Sequence, residues 1–139
     1  MILVVDASVA LKWFVIEDWR PEARRLLETD YDLEAPDLIV AEVANAAWKK
    51  VRQRQIGPAQ AARMVEGLPR YLGRQRPSAD LAVAALGLAL DLGHPVYDCF
   101  YLACAQQAES RLVTADDRLC RAVAGTGHAH LVEHIGNFP

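Results

Sequence analysis

Asp6, Glu42, Asp98 and Asp116 stand in four separate stretches of the chain, each beside apolar sequence that draws it toward an interior. Asp6 ends the run Ile2-Leu3-Val4-Val5, and Glu42 interrupts the helical stripe of Leu38, Ile39, Val43 and Ala46. Asp98 precedes Phe100-Tyr101-Leu102, and Asp116 follows Leu112-Val113-Thr114. Carboxylates drawn out of water are costly unless compensated, and neighbouring ones raise each other's pKa. Gathered together they make an all-oxygen pocket, the donor set that Mg²⁺ and Mn²⁺ prefer. Such ions keep several waters of their own, which suits hydrolysis. Taken singly, each acid has an ordinary explanation, a helix cap for Asp98 or Asp116 and a boundary residue for Glu42. The joint pattern of strand-Asp, helix-Glu, helix-start Asp and strand-Thr-x-Asp is what favours a site.

The elements that must position these acids follow from local patterns. The apolar run Ile2–Val5 suits a strand buried on both faces of a parallel sheet, with Asp6 just past its carboxyl end. A helix follows from about Ser8 to Phe14, and a second opens near Trp19-Arg20-Pro21 and stops near Thr29-Asp30. Pro36-Asp37 begins a long helix to about Gln55, on which offsets of three and four set Glu42 on or beside the core-facing stripe. Gly57-Pro58 ends it and starts another to Gly67, after which Leu68 to Pro77 carries a weak edge-strand signal. Ser78 is the expected N-cap of a helix with body Leu81 to Leu92, closed by Gly93-His94-Pro95. A helix from Tyr97 to Glu109 carries Asp98 in its first turn. It precedes a strand from Arg111 to Thr114, a helix from Asp116 to Ala124 with Asp116 as N-cap, and a last strand over His130 to Val132.

Short strands separated by helices predict the α/β class, a three-layer α/β/α sandwich around a short, mainly parallel sheet, with residues 1–139 forming a single domain. In such sheets ligands bind beyond the carboxyl ends of the strands. That rule puts Asp6 and Asp116 on one edge and brings Asp98 to it at the amino end of a helix.

Composition narrows the function classes. With 53% hydrophobic and 24% charged residues over 139 positions, the chain can bury a core and is not a disordered one. The longest apolar run, Leu81 to Leu90, is fenced by Asp80 and Asp91 and falls short of the ~20 residues a membrane helix needs. The amino-terminal run lacks the basic flank of a secretion signal. Cys99, Cys104 and Cys120 are an odd number without metal-type pairing, as expected of reduced thiols in a cytoplasmic protein. The net charge of −3 conceals basic clusters at Lys49, Lys50, Arg52 and Arg54 and at Arg70, Arg74 and Arg76, so it does not decide the partner. His128, His130 and His134 sit in a polar, Gly-bounded tail that predicts exposed side chains rather than a catalytic pair or a zinc site. Ser8, Ser78 and Ser110 lack a nucleophile motif, and Trp13, Phe14 and Trp48 are assigned to the core by default.

In order and spacing, four motifs resemble those of the PIN-domain ribonucleases, and within them the VapC-type toxins of type II toxin–antitoxin pairs. They are Val4-Val5-Asp6-Ala7-Ser8-Val9-Ala10, Pro36-Asp37-Leu38 through Glu42-Val43-Ala44-Asn45, Tyr97-Asp98-Cys99-Phe100-Tyr101-Leu102-Ala103 and Leu112-Val113-Thr114-Ala115-Asp116. The resemblance covers essentially the whole chain. It implies a PIN-like fold and a Mg²⁺- or Mn²⁺-dependent endoribonuclease with Asp6, Glu42, Asp98 and Asp116 as the catalytic acids. Asp6, Asp98 and Asp116 would ligate the metal directly and Glu42 through a water, with Ser8, Asn45 and Thr114 in support. It also implies a homodimer restrained by a small VapB-like antitoxin. RNA needs cations around an acidic cleft, and the candidates are Lys12, Lys49, Lys50, Arg52 and Arg118. Asp117, beside Asp116, is the better fit to a solvent-facing helix position.

Two other functions share parts of this pattern. A receiver-type signalling domain gathers acids at the same edge but needs a lysine after a late strand. Here Lys12, Lys49 and Lys50, all in the first half, are the only lysines. A non-catalytic PIN-like binding module is the remaining alternative, and Asp98→Asn separates it from a nuclease.

Overall fold

The apolar segment Ile2–Val5 forms β1, the central strand of a five-stranded sheet in which every pairing is parallel. The computed structural model describes residues 1–138. The strands β2 (Asp32–Pro36), β3 (Arg74–Arg76), β4 (Leu112–Thr114) and β5 (Val132–His134) complete the order β3-β2-β1-β4-β5. The short apolar runs at β1 and β4 are what a sheet covered on both faces requires, and Leu3, Val4, Val5, Leu112 and Val113 are buried.

Among the described residues seven α-helices connect the strands: α1 (Ala7–Ala10), α2 (Arg20–Leu26), α3 (Leu38–Arg52), α4 (Pro58–Gly67), α5 (Ser78–Leu92), α6 (Val96–Gln107) and α7 (Asp117–Val123). The chain steps from β1 outward through β2 to β3, then returns to the other side of β1 for β4 and β5. With right-handed crossovers, α1 to α4 lie on one face and α5 to α7 on the other. The direction of winding reverses between β1 and β4, which opens a crevice at their carboxyl ends. Asp6, directly after β1, and Asp116, within the β4–α7 junction, flank that crevice.

The sandwich and the parallel sheet agree with the sequence expectation, but four local features differ. No strand was expected over Asp32–Pro36, where Asp, Glu and Pro disfavour one. β2 instead has a long-range partner: Glu34, buried, receives the Arg76 Nε from β3 at 2.6 Å, and Arg76 also donates to Gln107 on α6 at 2.8 Å. The N-cap of α5 is Pro77 rather than Ser78. One first-turn donor is met from α3's side, where Asp37 Oδ1 accepts the Ser78 amide at 3.0 Å as well as its hydroxyl. The helix expected from Ser8 to Phe14 is the single turn α1 followed by a 3₁₀ turn over Leu11–Trp13. The last strand lies two residues later than expected, after a 3₁₀ turn over Ala129–Leu131.

Helix α5 packs against α6, burying Leu81, Ala85 and Leu88 at spacings of four and three. Gly93 ends α5 at φ +60, a left-handed position that a β-carbon disfavours, and turns the chain through 116° into α6. Among the described residues no single helix is long and apolar enough to cross a membrane. The three cysteines are free, and burial pushes the Cys99 thiol up to about 11 and the Cys104 thiol up to about 12.

Candidate active site

The crevice is built on one side by the ends of β1 and β4. Asp6 caps α1, its Oδ1 accepting the Val9 amide at 3.2 Å and the Ser8 hydroxyl at 2.6 Å, while Oδ2 accepts the Thr114 hydroxyl. The two hydroxyls are themselves fixed by the backbone after β4. Ala115 N donates to Ser8 Oγ and Asp116 N to Thr114 Oγ1, both at 3.0 Å. A hydroxyl can accept one bond and donate another, which is why Ser and Thr suit these two positions. Asp116 caps α7, its Oδ1 accepting Arg118 N at 2.9 Å and Leu119 N at 3.4 Å. The Ser8 and Thr114 hydroxyls thus join Asp6 to the segment that carries Asp116.

The other side comes from helices on opposite faces of the sheet. Asp98 stands in the first turn of α6, and its Oδ2 shares a 2.6 Å hydrogen bond with His94 Nε2 from the α5–α6 turn. Glu42, half-buried on α3, accepts the Tyr101 hydroxyl from α6 on Oε1 at 2.7 Å. Neither donor is among the site residues assigned from sequence, although Tyr101 lies within the third motif. His94 sits four positions before Asp98, a spacing that could have signalled it, whereas Tyr101 and Glu42 are 59 positions apart.

Electrostatics tie the two sides together. Burial pushes the Asp6 carboxyl up to about 6, its hydrogen bonds from Ser8, Thr114 and Val9 oppose this, and the Asp98 charge adds to the rise. Burial also raises Glu42, aided by Asp6 and Asp98 and opposed by the Tyr101 hydrogen bond. The Tyr101 hydroxyl is raised well above its ordinary range by burial and by the same three acids, so it remains a donor at neutral pH.

Among the described residues, no three His, Cys, Asp or Glu side chains are closed into a ready metal cage. The donor set nevertheless fits a hard cation. Glu42, Asp98 and Asp116 each have one oxygen held by protein donors, and no described residue donates to the other. An all-carboxylate set with open oxygens suits Mg²⁺ or Mn²⁺, and a cation would lift the burial cost on Asp6.

The remaining candidates are placed differently. Asn45 is exposed and forms no hydrogen bond with a described residue, so the support expected from it is not seen. Lys12 is no surface cation: its side chain is buried and its Nζ lies 3.1 Å from Glu17 Oε1. Lys50 holds the other Glu17 oxygen at 3.3 Å. Lys49, Arg52 and Arg118 are exposed, Arg52 stacking over the Trp48 ring at 5.2 Å, and Trp48 itself is exposed rather than core. Asp117 faces solvent as expected. His134 departs from expectation, being half-buried: it packs edge-on to Trp19, accepts Gly136 N on Nδ1 and approaches Asp117 Oδ1 at 3.4 Å through Nε2.

Comparison with known proteins gives consistent results. The profile of the PIN domain matches residues 3–125, a span that holds all four acids. The chain is 34% identical over 121 residues to Ribonuclease VapC3 of Pyrobaculum aerophilum, covering 86% of this chain and 92% of that protein. Its fold is similar to that of PAE2754 from Pyrobaculum aerophilum, with TM-score 0.71 and 22% identity over 96% of this chain and 83% of that one. It is also similar to a chain of a toxin–antitoxin complex from Klebsiella pneumoniae, with TM-score 0.70 and 19% identity over 96% and 97% of the two chains.

Proposed function

The chain belongs to the PIN-domain family, and from that membership we propose that it is a metal-dependent endoribonuclease, the toxin of a toxin–antitoxin pair. The observation that carries this reading is the convergence of Asp6, Glu42 and Asp98 on one crevice with Asp116 at its rim. Asp6, Asp98 and Asp116 are the residues that would hold Mg²⁺ or Mn²⁺, with Glu42 beside them to act through a water. When bound there, such a cation would supply the positive charge that acidifies an attacking water and stabilises the departing oxygen of a phosphodiester.

The chain's own residues do the rest. Ser8 and Thr114 keep both Asp6 oxygens in place, so the carboxylate needs little rearrangement when it meets a cation. His94 and Tyr101 orient Asp98 and Glu42. Lys49, Arg52 and Arg118 are the exposed cations that fit contact with RNA phosphates, while the burial and pairing of Lys12 remove it from that set.

Two surfaces support the protein partners. Helix α5 presents Val83, Leu86 and Leu90 to solvent opposite its buried stripe, with exposed Tyr97 at the start of α6, an apolar face that suits a homodimer. Between α3 and α4, Ala47, Trp48, Val51, Pro58, Ala61 and Val65 line a groove of about 330 Å³. Its apolar floor, with Arg52 over the Trp48 ring, fits an acidic, amphipathic segment of a small VapB-like antitoxin.

The test is to incubate the purified chain with total cellular RNA in Mg²⁺ or Mn²⁺, in excess chelator, and as Asp98→Asn. Cleavage only by the unaltered protein with metal is expected. Chelator-resistant or variant-independent cleavage contradicts the metal–carboxylate mechanism, and a metal-binding chain that cuts no RNA favours the non-catalytic binding module.

A further inference from the structure

Glu42 is the acid least constrained by its own element. It projects from the second turn of α3 on a side chain with three rotatable bonds, is only half-buried, and shares the crevice with the carboxylates of Asp6 and Asp98. Repulsion from those two charges favours swinging it outward into water, where its own charge is better solvated. Among the described residues, one donor opposes that movement, the Tyr101 hydroxyl at 2.7 Å from Oε1.

Tyr101 is well suited to hold a position. Its side chain is 1% exposed, so the ring is fixed by packing, and it stands one helical turn after Asp98 on the same side of α6. One helix therefore presents both an acid of the crevice and the group that secures a second acid arriving from the opposite layer. The hydroxyl engages Oε1 alone, and no described residue donates to Oε2.

We infer that Tyr101 is a positioning residue for the cation site, its buried hydroxyl holding Glu42 inward so that Oε2 remains available to a cation or its water shared with Asp6 and Asp98. The inference rests on the metal-dependent reading of that crevice. It predicts that Tyr101 acts on metal affinity through Glu42 and through no other group. Groups of this kind, one bond removed from the ligand, typically change metal affinity by about 10- to 100-fold when removed.

The experiment is a double-mutant cycle read by calorimetric Mn²⁺ titration of the full chain, with thermal unfolding run on each protein. Tyr101→Phe, which removes one oxygen and keeps the packed ring, is expected to weaken Mn²⁺ binding about tenfold with little change in unfolding temperature. In a Glu42→Gln background, itself weakened, the same change is expected to do almost nothing, because the group it acts through is already altered. Glu42→Asp keeps the charge but withdraws it from the hydroxyl, and its half-exposed position makes it a fold-safe check with a loss of similar size. Unchanged affinity in Tyr101→Phe, or the same fold loss in both backgrounds, overturns the inference while leaving the cation site standing. No Mn²⁺ binding by the unaltered protein overturns both.

Discussion

The two walls of the crevice are built on different principles. On the strand wall, Asp6 is buried and both its oxygens are met by hydroxyls that the backbone after β4 fixes in turn. On the helical wall, Glu42 and Asp98 are half-buried and each is held by one side-chain donor. A carboxylate at a strand end inherits the rigidity of the sheet and can be hydrogen-bonded locally. A carboxylate on a helix must be tied by whatever the neighbouring element supplies. The strand wall therefore acts as a fixed post, and the helical wall as an adjustable one whose geometry depends on His94 and Tyr101.

The largest effect is one in which the walls do not differ. Asp6→Asn and Asp98→Asn are each expected to lower RNA cleavage by at least about 10³-fold, the rate equivalent of several kcal/mol of lost charge stabilisation, with circular dichroism unchanged. Cleavage that survives either change shows that the wall concerned is dispensable.

The second effect is pH-dependent and centred on the strand wall, although Glu42 on the helical wall is raised in the same direction. The folded Asp6 carboxyl titrates near 6 and the unfolded one near 3.8, so the folded state binds its proton more tightly. Below about pH 4 this group imposes no penalty, and from about pH 4 to about pH 6 the folded state loses stability as Asp6 ionises. For a shift of this size the loss is about 3 kcal/mol, constant at higher pH. Denaturant unfolding in chelator, followed across that range, should show the fall in the unaltered protein and a smaller one in Asp6→Asn. Saturating Mn²⁺ at neutral pH should offset it.

Breaking the strand wall from behind comes next. Thr114→Val preserves shape but leaves one Asp6 oxygen without its hydroxyl and the Asp116 amide without its acceptor, an expected loss of about 2 kcal/mol in unfolding free energy. His94→Ala on the helical wall should do the opposite, weakening Mn²⁺ binding and cleavage about tenfold with little effect on folding. His94→Gln, which returns a donor near the Nε2 position, should recover part of that loss.

The same contrast explains what could be read from sequence. Asp6 and Asp116 announce themselves locally, each following a short apolar strand and capping the helix after it. Glu42 and Asp98 could be placed by periodicity and a helix start. What holds them could not, because Tyr101 meets Glu42 across 59 positions and nothing in the surrounding sequence pairs them. β2 is illegible for a related reason: Asp32-Leu33-Glu34-Ala35-Pro36 carries almost no strand propensity, and its place depends on Glu34 meeting Arg76, 42 positions later. Lys12 read as a surface cation because charge is legible in sequence and the salt bridge that buries it is not. The parallel sandwich and the acidic edge follow from short-range patterns and handedness, whereas the sheet order depends on β2 and does not. The polar contacts that tune the site are long-range.

Whether the two walls form one cation site is decided most directly by Mn²⁺ binding in three proteins, the unaltered chain, Asp6→Asn and Asp98→Asn. The chain should bind Mn²⁺, and loss of either acid, one from each wall, should weaken binding by more than about tenfold. Binding that depends on one wall and is indifferent to the other would contradict a shared site.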